Sequence, residues 1–142
     1  SGIEGFLAAS SSFHKSKPNK TPTVLVLGDI SFLHDLNSLN LIKDSSTPFI
    51  IVLINNFGGG IFSLVPFKDQ YDVMPWMTTP HEYQFDKICE TFSIKHQFIY
   101  NYKDFKKEFI KAQKTNITQL LELNVDNSKN FDIYQKLKTV RL

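Results

Sequence analysis

Asp29 and Asn56 are the residues whose types and placement most invite chemistry. Each follows a short apolar run: Val24–Leu27 is closed by Gly28-Asp29, and Phe49–Ile54 by Asn55-Asn56. Gly58-Gly59-Gly60 comes next, and without a Cβ the backbone there can approach a ligand closely. A carboxylate, an amide oxygen and a backbone carbonyl suit Mg2+, a hard cation that keeps water and substrate phosphate in the rest of its shell. A diphosphate held by that ion would lie against backbone N–H groups at the start of a helix opened by Ser31, where peptide dipoles favour anions. Taken singly, the same residues have plainer roles. Asp29 and Ser31 can cap a helix, and Asn55 and the glycines can make a turn. Caps alone, however, do not require a carboxylate and an amide at the ends of neighbouring strands.

The elements that must position these residues follow from periodicity. Neither apolar run alternates with polar residues, which predicts strands buried on both faces, as in a parallel sheet. Between them Phe32, Leu33, Leu36, Leu39 and Ile42 recur at helical spacing, the pattern of a crossover helix. The two turns then fall where adjacent parallel strands end, the crevice in which open α/β sheets bind ligands. Ser1–Phe13 reads as a glycine turn entering a helix, and His14–Thr21 as a polar loop with solvated lysines. Ile61, Phe62, Leu64, Val65 and Pro66 make a short apolar helix that the proline ends. Phe67–His81 is a long irregular stretch with Trp76, and a cover over the site, ordered by ligand, is expected there. His81 is expected to cap or pack rather than to act as a base.

Downstream, Tyr83–Phe92 is a helix with Phe85, Ile88, Cys89 and Phe92 on one face, and Gln97–Tyr100 a third strand. Tyr102–Lys114 is a helix that places Phe105, Phe109 and Ile110 inward and its lysines in solvent. Ile117–Val125 is a fourth strand and Ser128–Thr139 a terminal helix. The expectation is an α/β three-layer sandwich with a mainly parallel sheet, residues 1–142 forming a single domain. A formal charge of +2 points to no nucleic-acid or membrane partner. Cys89, the one cysteine, excludes an internal disulfide and a cysteine-rich zinc cluster, and is expected as a small buried hydrophobe. With no membrane-spanning run and no secretory apolar segment, a cytoplasmic or plastid/organelle-stromal protein is expected. The chain opens on Ser1 rather than methionine, as expected of a piece of a longer chain or of an expression scar.

Gly28-Asp29, with Asn55-Asn56 at the end of the next strand, resembles the metal-and-diphosphate motif of thiamine-diphosphate enzymes. The longer strings GDISFLHDLNSL and VLINNFGGGIFSLVP are similar to one branch, the 2-succinyl-5-enolpyruvyl-6-hydroxy-3-cyclohexene-1-carboxylate synthases of menaquinone and phylloquinone biosynthesis. Ile30 stands where the broad family usually has glycine, and an aliphatic residue followed by serine is usual in that branch. The likeness runs from Ser1 to about His96 and covers only the cofactor-diphosphate domain of much longer enzymes.

The resemblance implies thiamine diphosphate and Mg2+, with Mn2+ able to replace the magnesium. Asp29, Asn56 and the Gly58 carbonyl would hold the metal. Gly2, Ile3, Gly28, Asp29, Ile30, Ser31, Asn56, Gly58, Gly59 and Ile61 would touch the cofactor, Ile3 propping it in a bent conformation. Ile61, Phe62 and Val65 would line the substrate pocket. The implied reaction is decarboxylation of 2-oxoglutarate and addition of the succinyl-semialdehyde unit to isochorismate, by a homodimer or tetramer completed by further N-terminal domains. The family's activating glutamate lies in a separate domain of the partner subunit, so no catalytic residue is assigned and the chain alone is expected to be inactive. Two other readings stand beside this one: another thiamine-diphosphate enzyme, of decarboxylase or acetohydroxyacid-synthase type, and a non-catalytic anion-binding α/β module. The second lacks a lysine-bearing P-loop and a Gly-x-Gly-x-x-Gly fingerprint to support it.

Overall fold

The computed structural model of the chain describes residues 3–18, 21–64 and 72–140. Among these, four strands pair in the order β1-β2-β4-β3: β1 (Thr23–Gly28), β2 (Phe49–Asn55), β3 (Lys95–Ile99) and β4 (Thr118–Asn124). Every pairing is parallel. The described residues also form six helices: α1 (Phe6–Ser16), α2 (Asp29–His34), α3 (Met74–Thr78), α4 (Phe85–Thr91), α5 (Tyr102–Ala112) and α6 (Asn127–Thr139). Two 3-10 turns, Leu36–Leu41 and Gly60–Leu64, complete the described elements.

The alternation of side chains along β2 builds the two cores. Phe49, Ile51 and Leu53 point to one face, where Leu7 of α1, Phe32 of α2, Leu39, and Phe85 and Cys89 of α4 cover them. Ile50, Val52 and Ile54 point to the other, against Phe105, Phe109 and Ala112 of α5. A strand sandwiched this way needs apolar side chains at every position, which is why β2 carries no alternation. Each such side chain contributes about 1.5–3 kcal/mol on burial, so β2 and β4 form the most strongly held layer. The three-layer α/β sandwich expected from the sequence is the architecture seen.

Five local expectations are corrected. β1 is an edge strand, and Val24 and Val26 on its second face are 42% and 62% exposed rather than buried. The crossover between β1 and β2 is not one helix. It breaks at Asp35, whose carboxylate turns aside to accept the Leu7 N–H at 2.7 Å and the Ala8 N–H at 3.2 Å. Those are unpaired donors at the start of α1, so Asp35 ends one helix by satisfying another. The presumed loop from His14 begins instead in the last turn of α1. His14 Nδ1 meets Thr23 Oγ1 at 2.7 Å, and its Nε2 lies 2.7 and 2.8 Å from the hydroxyls of Ser45 and Thr47, tying α1 to the sheet's lower edge. Ile110 is 43% exposed, on the outer side of α5. Part of the stretch expected to be irregular is α3, and the rest of its first half, through Tyr71, lies outside the described residues.

Cys89 is fully buried, and burial, with Glu122 and Asp86 adding to it, pushes its thiol up to about 12. A folded-state pKa above the unfolded value near 8.5 means that only the unfolded thiol ionises as pH rises. The stability this group contributes is therefore complete below about pH 8.5 and lost toward pH 12. Native protein at pH 8 is expected to resist iodoacetamide at Cys89 and to label once unfolded. Rapid labelling of the native form would contradict this burial.

Candidate metal centre

Parallel pairing sets Gly28 opposite Ile54, so the chain leaves β1 and β2 on the same edge of the sheet. Asp29 follows at once as the first residue of α2, with Gly28 as the N-cap. Its side chain is buried, and three donors hold the carboxylate. The Ile30 N–H gives to Oδ1 at 2.7 Å, while the Gly58 N–H at 2.9 Å and His81 Nε2 at 3.1 Å give to Oδ2. Each carboxylate oxygen has about two lone pairs, so Oδ2 is fully engaged and Oδ1 keeps one free.

Asn56 supplies what faces that free position. Its Nδ2 donates to Asn127 Oδ1 at 2.8 Å, and Asn127 Nδ2 returns a bond to the Asn56 carbonyl at 3.0 Å. With the amide held this way, Asn56 Oδ1 lies 2.9 Å from the Gly58 carbonyl oxygen and 3.1 and 3.3 Å from the two Asp29 oxygens. Acceptors this close repel one another unless a cation lies among them or the amide turns over. Adjacent corners of an octahedron with metal–oxygen distances of about 2.1 Å are about 3.0 Å apart. The Asn56–Gly58 and Asn56–Asp29 Oδ1 separations fit that edge, so the donor set suits Mg2+. Among the described residues, no group of three or more His, Cys, Asp or Glu side chains could hold a metal. One carboxylate with two neutral oxygens leaves a divalent ion with net positive charge, which a diphosphate would meet.

The second turn takes its shape from Asn55 and the glycines. Asn55 Oδ1 accepts the Phe57 N–H at 3.1 Å, and its Nδ2 donates to Glu122 Oε1 at 2.7 Å in the interior. Glu122 Oε2 takes a 2.7 Å bond from His96, so Asn55 is anchored through β4 to β3. Phe57 then sits at φ 61° and Gly58 at φ 141°. A Cβ at Gly58 would lie 2.6 Å from the Thr78 carbonyl, because Thr78–His81 packs directly on this turn. The Gly59 N–H donates to Thr78 O at 2.6 Å, and the His81 N–H to Phe57 O at 3.4 Å.

The structure thus brings Asp29, Asn56 and Gly58 together, while the other expected site residues are placed less uniformly. Ile30 and Ser31 are half-buried in α2, which starts at Asp29 rather than at Ser31 because Asp29 already has helical geometry. Gly59 packs against the Phe62 ring. Ile61 is 69% exposed on the 3-10 turn, a tighter element than the expected helix, and Ile3 is 45% exposed ahead of α1. Gly2 and Val65 lie outside the described residues. His81 packs, stacked on Tyr83 with its ring edge to Phe85, but it caps nothing, since Gln84 precedes α4. Its bond to Asp29 was not foreseen, and neither was the reach of Asn127 to Asn56 across 71 residues. The only signal for either is residue type, a histidine before a helix and an asparagine after a strand.

A parallel α/β sheet with an oxygen cluster at its carboxyl edge is the arrangement of a ligand-binding α/β domain. Residues 3–123 match the family described as thiamine pyrophosphate enzyme, C-terminal TPP binding domain, and the chain belongs to that family. It is 36% identical over 138 residues to the 2-succinyl-5-enolpyruvyl-6-hydroxy-3-cyclohexene-1-carboxylate synthase of Prosthecochloris aestuarii, covering 96% of this chain and 24% of the relative. The synthase of the same name from Psychromonas ingrahamii is also 36% identical, covering 97% of this chain and 23% of its own length. The chain thus spans about a quarter of the curated relatives it matches. Benzoylformate decarboxylase from Polynucleobacter necessarius superposes with a TM-score of 0.74 at 16% identity, over 85% of this chain and 23% of that one. That likeness is one of fold.

Gly58→Ala is expected to destabilise the chain by about 1–3 kcal/mol, because alanine rarely adopts φ 141° and its Cβ would press on Thr78 O. Gly28→Ala, at φ −81° with its nearest neighbour 4.0 Å away, is expected within about 0.5 kcal/mol of the parent. Urea denaturation of the two variants checks the contrast, and equal losses would contradict the described turn.

Proposed function

We propose that this chain is the metal-and-diphosphate-binding part of a thiamine-diphosphate-dependent synthase that decarboxylates 2-oxoglutarate and adds the succinyl-semialdehyde unit to isochorismate, for menaquinone or phylloquinone. The carrying observation is the convergence of Asn56 Oδ1 on the Asp29 carboxylate and the Gly58 carbonyl, at 2.9–3.3 Å. The relatives named as this synthase, at 36% identity, support the choice of reaction.

Bound thiamine diphosphate supplies the electron sink that makes loss of carbon dioxide from a 2-oxoacid feasible. The residues of this chain anchor and orient. Asp29, Asn56 and the Gly58 carbonyl hold Mg2+, or Mn2+ in its place, and so fix where a diphosphate can lie. Gly28, Ile30, Ser31 and Gly59 form the backbone wall around it. Ile3 approaches the cofactor from the N-terminal loop and Ile61 and Phe62 line the substrate side, while the same roles assigned to Gly2 and Val65 fall outside the described residues. His81 keeps Asp29 Oδ2 occupied, so the remaining lone pair of Oδ1 points to the ion. No residue here takes the role of the activating carboxylate, which is assigned to a further domain of the intact enzyme and to its dimer partner. Chain 1–142 would then be a single domain of a larger protein. The near-balanced charge, and the absence among described residues of a helix able to cross a membrane, support a cytoplasmic or stromal setting.

The test is a substrate assay on the intact protein with thiamine diphosphate and Mg2+. Turnover of 2-oxoglutarate with isochorismate is expected, with pyruvate and benzoylformate inert. Asp29→Asn is expected to lower kcat/KM by more than the roughly 100-fold that loss of a supporting partner costs a metal site. Preference for pyruvate, or an Asp29→Asn enzyme of normal activity, would overturn the assignment.

A further inference from the structure

We propose that Asn127, the first residue of α6, is a positioning residue for the cation: it holds the Asn56 amide with its oxygen toward Asp29 and Gly58. This rests on the metal reading above and extends it to a residue outside the two turns.

The Asn56 amide has two orientations, and only one leaves room for an ion. With Nδ2 on Asn127 Oδ1 at 2.8 Å, the oxygen faces inward. Turned over, its NH2 group would donate to Gly58 O at 2.9 Å and to the Asp29 oxygens at 3.1 and 3.3 Å. It would then satisfy the oxygens that the cation otherwise satisfies, and the site would be closed by the protein's own amide. Asn127 opposes that turn. A turned Asn56 would set its oxygen 2.8 Å from Asn127 Oδ1, acceptor against acceptor. Asn127 could turn as well, but its oxygen would then face the Asn56 carbonyl, and the 3.0 Å bond from Asn127 Nδ2 would be lost. With a cation among the oxygens the paired amides therefore hold the sense with oxygen inward, and without one the turned amide can satisfy the same oxygens. Asymmetry comes from the backbone carbonyl, which can only accept.

Two further observations show that this pair is built in. A Cβ at Gly60 would collide with the Asn56 amide nitrogen and would lie 2.6 Å from Asn127 Oδ1, so the third glycine makes room for the two amides. β4 lies beside β2 with Asn124 opposite Asn55, which brings the start of α6 to the same sheet edge as the two turns. The carboxyl ends of three adjacent strands thus each supply one member: Asp29, Asn56 and Asn127.

The experiment is a Mn2+ titration of the intact protein with thiamine diphosphate, read by electron paramagnetic resonance of the free ion and independent of turnover. Asn127→Ala frees the Asn56 amide to turn and is expected to weaken Mn2+ binding by about 10–100-fold, the range for loss of a supporting partner. Asn127→Asp keeps an acceptor for Asn56 Nδ2 but sets its second oxygen against the Asn56 carbonyl, and is expected to recover part of that loss. Gly60→Ala, which crowds the pair while leaving both amides present, is expected to weaken binding in the same direction and serves as the readout should Asn127→Ala not fold. Wild-type affinity in Asn127→Ala or in folded Gly60→Ala would overturn the inference, as would equal weakening in Asn127→Ala and Asn127→Asp. If the parent protein binds Mn2+ and only the Asn127 contrast fails, the metal reading stands and this inference falls. If the parent itself binds no Mn2+ with the cofactor, both fall.

Discussion

Oxygen atoms crowded together with no hydrogen between them are the constraint on which this structure turns. Asn56 Oδ1 sits within 3.3 Å of three other oxygens, an arrangement that repels itself unless positive charge compensates or the amide turns over. Most of the surrounding hydrogen bonds have the effect of keeping those oxygens where they are. The Ile30 and Gly58 N–H groups and His81 fix the Asp29 carboxylate, and Asn127 fixes Asn56. Under the proposed reading, a cation would meet donors already held in place, the general route by which rigid donor sets gain affinity.

The fold supplies the juxtaposition cheaply. Parallel pairing of β1 and β2 puts both turns on one edge, and insertion of β4 between β2 and β3 adds the start of α6. The turn after β2 is nonetheless strained, with Phe57 and Gly58 at positive φ. That conformation persists because Asn55 is tied to Glu122, and Glu122 to His96, within the sheet. A buried carboxylate that accepts from both an amide and an imidazole is well satisfied, so the network holds the turn without leaving an unpaired polar group. It performs for the second turn what Asp35 performs for the start of α1.

Much of this was legible in the residues. The unbroken apolar character of Phe49–Ile54 marked a strand covered on both faces, and the polar residues at its end marked the turn at the sheet's carboxyl edge. Asp29 and Asn56 stood out because each lies one residue past such a run. Val24–Leu27 looks the same but lies at the sheet edge, and apolar composition cannot distinguish an edge strand from a central one. The break at Asp35 was hidden because helical spacing continues through Leu36 and Leu39, while the carboxylate's partners are 27 and 28 residues away. Asn127 was invisible for the same reason: a contact across 71 residues leaves no periodic trace. His81 was weighed only for local roles, whereas its partner lies 52 residues earlier. Local pattern reports local structure, and the side chains that support this site, His81 and Asn127, are far from it in sequence.

The most direct test of the central claim is anomalous diffraction from crystals of the intact protein grown with thiamine diphosphate and Mn2+. One anomalous peak is expected within about 2.0–2.3 Å of Asp29 Oδ1, Asn56 Oδ1 and the Gly58 carbonyl, with the Asn56 amide still bonded to Asn127. Manganese bound elsewhere, or an Asn56 amide donating to Asp29 in the cofactor-loaded protein, would contradict it.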